Sequence, residues 1–260
     1  MEYEFVKVEK RNHISIVTIN RPEVYNAVHP PLSLELDQVW NDFIEDRDQW
    51  VAVLTGAGDK AFSAGNDLKY SAQQGKYKVQ QPKSGFAGLT NRFDRTKPII
   101  AAVNGFAMGG GMETALSCDI ILASENAKFA LPEVKVGFFA AAGGVQRLSR
   151  QIGKKAALEM ILTGRSVDAA EALKLGIIND VFPQAELLDK AIQKAEVIAG
   201  NCPSSVKYSL EALNHMDQLE EMASALEKSY ELIDLLRKTE DHKEGVSAFV
   251  EKRAPTWKNK

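Results

Sequence analysis

The sequence predicts an α/β protein with parallel strands, followed by a helical C-terminal region. Three observations carry this. Short β-branched runs alternate with segments of helical spacing in the N-terminal part of the 260 residues. The runs at 50–55 and 98–103 are continuously apolar, the pattern of strands covered on both faces. Beyond about residue 190, helical spacing continues without strand patterns between the helices.

The elements follow in order. Residues 13–19 are β-branched and partly alternating, which reads as a strand stopped by Asn20, Arg21 and Pro22. Leu32, Leu36, Val39, Trp40 and Phe43 then recur at helical spacing over 32–45. The strand at 50–55 closes at Gly56 and Gly58, and 60–69 reads as a loop leading to a second strand or a helix start. Residues 75–88 mix Gln, Lys, Pro, Ser and Gly without period and read as a mobile loop. The strand at 98–103 ends at Asn104 and Gly105, a glycine triplet opens a helix at 112–117, and 119–123 is again a strand. Helical spacing then covers 154–162, 169–175, 187–199, 204–216 and 219–238, punctuated by Gly164, Gly176 and Pro203.

Composition excludes several classes of function. Hydrophobic residues are 45% and charged residues 26%, an ordinary globular balance. A net charge of −3 leaves no cationic excess for nucleic acid. The two cysteines form no CxxC pair, and the four histidines have no metal-ligand spacing. Cys118 reads as a small buried hydrophobe rather than a nucleophile. The acidic start Met1 to Phe5 has no signal-peptide core, and no run has the length to span a bilayer, so a cytoplasmic protein is expected. The basic end, 251–260, reads as a solvated tail.

Three segments carry chemistry: 61–69 (AFSAGNDLK), 104–113 (NGFAMGGGME) and 129–137 (FALPEVKVG), the last continuing to Gly143, Gly144, Gln146 and Arg147. A glycine triplet between strand and helix admits a ligand to the backbone, and free N–H groups at a helix start favour negative charge. A developing oxyanion, a phosphate or simply a tight turn all fit that geometry, although phosphate-loop and dinucleotide patterns are absent. Glu113, two residues past the triplet, fits a dipole-complementing carboxylate or a catalytic one. Glu133, after Pro132, fits a solvated loop residue or a catalytic acid.

Together and in this order, the segments resemble the enoyl-CoA hydratase/isomerase, or crotonase, superfamily. The resemblance runs from Arg21-Pro22 and Asn26-Ala27 to Phe249 and Arg253. It implies a crotonase-like spiral of β-β-α turns over 1–190 and a helical trimerisation region over 191–260, in a homotrimer or a dimer of trimers. It implies hydration of a 2-enoyl-CoA thioester, with coenzyme A as part of the substrate, no tightly bound cofactor, no metal, and neither nucleic acid nor membrane as partner. By resemblance the backbone N–H groups of Asn66 and Gly110 form an oxyanion hole. Glu113 activates water and Glu133 protonates Cα, and the Ala141 N–H helps hold the water. Ala64, Asp67, Leu68, Lys69, Phe249 and Lys252 match positions that bind coenzyme A. Many relatives carry proline where this chain has Ala140. Residues 85–90 and 252–258 are similar to the carnitinyl-CoA dehydratase branch, which is the alternative, beside a double-bond isomerase. A non-catalytic CoA- or RNA-binding relative is the reading from another class.

Overall fold

The two continuously apolar runs become the centre of a sheet. The computed structural model describes residues 3–73, 81–216 and 231–260. Strands β1 (Val6–Arg11), β2 (Ile14–Ile19), β3 (Val51–Gly56), β5 (Ile99–Val103), β7 (Ile120–Ser124) and β10 (Asp180–Phe182) form a six-stranded sheet in the order β1-β2-β3-β5-β7-β10. From β2 onward the pairs are parallel, and β3 and β5 are buried at every position. The β1–β2 pair is an antiparallel hairpin.

A second sheet has the order β4-β6-β8-β9, from β4 (Ala61–Ser63), β6 (Phe106–Met108), β8 (Lys128–Ala130) and β9 (Ser166–Asp168). β3 leads to β4, β5 to β6 and β7 to β8, so each turn of chain lays one strand in each sheet. That is the expected spiral of β-β-α turns. Polar side chains lock its corners. Asn104 Nδ2 donates to the carbonyls of Gly56 and Gly58 at 2.8 Å each, and Asn26, fully buried, donates to Ala57 at 3.0 Å and Ala61 at 2.7 Å. Satisfying buried carbonyls in this way avoids a desolvation penalty of about 1–3 kcal/mol per group.

Helices α1 (Pro30–Glu45), α2 (Leu68–Gln73), α3 (Gly110–Leu116), α4 (Gly144–Ile152), α5 (Lys154–Thr163), α6 (Ala169–Leu175), α7 (Leu187–Ala199) and α8 (Pro203–Met216) follow. One core joins α1, α3, α4, α5 and the strand faces between them. A second core lies on the opposite face of the six-stranded sheet, where Leu187, Ala191, Ile192 and Ala195 of α7 meet Ile14, Val53, Ile100 and Leu122. Helix α7 crosses position 190, the boundary expected from sequence, and a C-terminal helix (Glu240–Glu251) packs on α8.

Three expectations need correction or bounding. Part of the predicted loop, 75–80, and part of the predicted helix at 219–238 lie outside the described residues. The rest of that loop is not loose. Phe86–Gly88 is a buried 3-10 turn, held by Trp40 Nε1 donating to Ala87 O at 3.2 Å. Strand β1 and helix α4 had no sequence assignment. β1 buries only Val6 and exposes the charged residues that follow, as an edge strand does.

Candidate active site

The glycine triplet sits where β6 ends and α3 begins, with Gly109 as the N-cap. A Cβ on Gly111 would lie 2.1 Å from Ser63 O, so only glycine lets α3 approach β4 this closely. A Cβ on Gly65 would lie 2.9 Å from the Gly110 nitrogen, which brings the Asn66 segment against the start of α3. Gly110 occupies the first helical position, where an N–H has no intrahelical acceptor. The N–H groups of Asn66 and Gly110 find no acceptor among the described residues, whereas those of Ala64, Asp67 and Gly109 donate to Tyr25, Val28 and Ala130. Two free donors therefore flank one space. The Phe86 ring walls it, since a Cβ on Gly110 would lie 2.6 Å from that ring.

Glu113 is one turn further along α3 and only 4% exposed. Its Oε1 accepts from the Gly144 N–H at 2.8 Å. Burial pushes its pKa up to about 7, the neighbouring Glu133 adds to the rise, and the Gly144 amide and Arg147 oppose it. Glu133 stands on a 3-10 helix (Pro132–Val136). Its Oε1 rests beside Gly109, 2.9 Å from where a Cβ would be, and its buried Oε2 has no hydrogen-bond partner among the described residues. Burial raises its pKa too. The structure thus brings Glu113, Glu133, Gly110 and Asn66 around one end of α3. Two carboxyls with raised proton affinity beside free N–H donors can move protons to and from a substrate whose oxyanion the amides hold.

The other expected residues divide. Ala64 and Asn66 are exposed beside the donors, and Leu68 and Lys69 are exposed at the start of α2. Asp67 is committed to the protein itself: it pairs with Arg21 at 3.0 Å and accepts from the Tyr70 N–H at 3.0 Å, capping α2. Ala141 is exposed between the buried Ala140 and the half-buried Ala142, and the amide hydrogen-bonded to Glu113 is that of Gly144. Lys252 is exposed at the end of the C-terminal helix, and the Phe249 side chain lies outside the described residues. Cys118 donates to Thr114 O at 3.5 Å, and burial pushes its thiol up to about 12, which removes it as a nucleophile. Sequence reasoning missed Phe86 and the Gly144 amide. Nothing local marks them, because each acts through a contact between distant turns.

Comparison with known proteins agrees with this geometry. Residues 9–260 match the family model described as enoyl-CoA hydratase/isomerase. The (E)-benzylidenesuccinyl-CoA hydratase of Thauera aromatica is 41% identical over 253 residues, covering 97% of this chain and 98% of that protein. A carnitinyl-CoA dehydratase of Escherichia coli O157:H7 is 39% identical over 265 residues, covering 99% of each. The crystal structure of an enoyl-CoA hydratase from Mycobacterium tuberculosis H37Rv superposes with a TM-score of 0.92 at 36% identity, covering 98% of this chain and 99% of that one. A match of this extent, with both glutamates and both amides meeting at the start of α3, places the chain in the enoyl-CoA hydratase/isomerase family.

Proposed function

We propose that this protein adds water to the double bond of a 2-enoyl-CoA thioester, or removes it in reverse. The observation that carries the reading is the meeting of the buried Glu113 and the half-buried Glu133, both with raised proton affinity, with two free N–H donors. The thioester oxygen lies between the Asn66 and Gly110 amides. Glu113 takes a proton from water as its oxygen bonds to Cβ, and negative charge moves onto the thioester oxygen. Glu133 then gives its proton to Cα, which balances the addition. Removing one oxyanion donor of this kind costs about 2.7–4 kcal/mol. Both glutamates end with exchanged protonation and are reset through solvent.

The same reading assigns Ala64, Asp67, Leu68, Lys69, Phe249 and Lys252 to the coenzyme. Of these, Asp67 acts through the cap that shapes α2. Residues 191–260 serve trimerisation, in a homotrimer or a dimer of trimers. The substrate's own thioester is the only coenzyme chemistry the reading uses. No helix among the described residues is long and apolar enough to cross a membrane. A cytoplasmic location belongs to the proposal.

The test is a spectrophotometric assay with crotonyl-CoA beside crotonobetainyl-CoA. Loss of the enoyl thioester signal with crotonyl-CoA supports the reading, and turnover of crotonobetainyl-CoA alone replaces it by the dehydratase branch. Tight RNA binding at physiological salt without turnover of either would overturn it.

A further inference from the structure

We propose that Arg147 is the positioning residue for Glu113: its guanidinium pins the 140–144 turn over the carboxyl and supplies a fixed positive charge beside it. The inference rests on Glu113 as the proton-transfer group. Arg147 lies in the first turn of α4 and is half-buried. Its Nη2 donates to Thr90 O at 2.7 Å, its Nη1 to Ala142 O at 3.4 Å, and its Cζ lies 5.7 Å from the Phe93 ring centroid. Ala142 lies two residues before Gly144, whose amide holds Glu113 at 2.8 Å. Thr90 in turn accepts, through Oγ1, from the Phe86 N–H at 2.9 Å, and the Phe86 ring packs on Gly110. One side chain therefore ties the turn above the carboxyl to the wall beside the oxyanion donor.

The charge has a second consequence. Arg92 and Arg95 pair with Asp37 and Asp119, whereas Arg147 is held by carbonyls. Among the described residues no bonded carboxylate neutralises its charge, and guanidinium stays protonated throughout the working pH range. From the elements packed on it, Glu113 faces Glu133 and Arg147. Arg147 itself faces Glu113, the paired Arg95, the neutral Cys118 and Arg150. Arg147 thus opposes the rise that burial and Glu133 impose on Glu113 and keeps part of it ionised near neutrality.

The test is the pH profile of kcat for crotonyl-CoA hydration in R147Q, R147K and E113Q, with circular dichroism recorded alongside. Glutamine keeps an N–H for Thr90 O but loses the charge, so the midpoint of the acid limb moves alkaline by about one pH unit, the low end for an opposite charge nearby. Lysine keeps the charge and loses the fork, so the midpoint stays while kcat drops about tenfold through looser positioning. A midpoint unmoved in folded R147Q overturns the proposal. If R147Q does not fold, R147K decides: a shifted midpoint there overturns the proposal, and an unmoved one with lowered kcat supports it. E113Q separates the two levels, because a limb that persists in it overturns the assignment of Glu113 and the proposal with it. A limb lost in E113Q but unmoved in R147Q overturns the role of Arg147 alone.

Discussion

The two glutamates stand on contrasting supports. Glu113 belongs to α3, buried at every residue, and the Gly144 backbone amide grips its carboxyl. Glu133 belongs to a 3-10 helix with no buried residue, followed by Phe138 and Phe139, exposed at 52% and 64%. One carboxyl is fixed to the scaffold and the other to a surface segment with large apolar side chains. A group that aims water must be held still, whereas a segment that meets varied acyl chains can change without disturbing the core.

The largest expected effect breaks the comparison most directly. Glu113→Gln and Glu133→Gln should each lower kcat by about 10²–10⁴, with KM little changed. Near-normal hydration by either variant would remove that residue from the mechanism.

Stability against pH sharpens the contrast. The folded pKa of Glu113 is raised from 4.5 to about 7. Its contribution is therefore fully present below the unfolded value and lost as pH rises through 7, where an ionised carboxyl must stay buried. Glu113→Gln should be more stable than wild type above pH 7, by on the order of 3 kcal/mol, with the gap closing below about pH 4.5. Melting temperatures across pH check this, and a gap independent of pH would contradict it.

Glycine substitutions compare the two supports themselves. Gly111→Ala drives a Cβ to 2.1 Å from a backbone carbonyl, so α3 must shift, with a loss of about 1–3 kcal/mol and of most activity. Gly137→Ala, at φ +79° with nothing within 4 Å of its Cβ, should cost about 1–2 kcal/mol through backbone strain alone and leave turnover near normal. Denaturant midpoints beside kcat distinguish them, and equal loss of activity in both would erase the contrast.

The smallest effect lies at the coenzyme. Lys69→Glu and Lys252→Glu should raise KM by up to about fivefold at low salt, the scale of an exposed ion pair, and less as salt rises. A KM that ignores salt would separate these lysines from the phosphates.

How far the sequence could be read follows from the range of each interaction. The runs at 50–55 and 98–103 announced β3 and β5, because strands covered on both faces must be apolar throughout. Helices α6 and α7 matched their periodic segments residue for residue. The three-residue strands β4, β6, β8 and β9 left no periodic signal, being too short to show one. Strand β1 was missed because its outward side chains are charged.

By itself the sequence determined the α/β class and the glycine triplet at a helix start, and through the family resemblance of its motifs it pointed to Glu113 and Glu133. Only the tertiary structure decided that the carboxyl of Glu133 rests on Gly109, that Gly65 abuts the Gly110 amide, and that Asp67 is spent on Arg21 and a helix cap. It also decided that Glu113 holds its proton to about pH 7. The reason is physical. Local pattern encodes which face of an element is apolar, but proton affinity depends on burial and on charges that arrive from other turns of the chain.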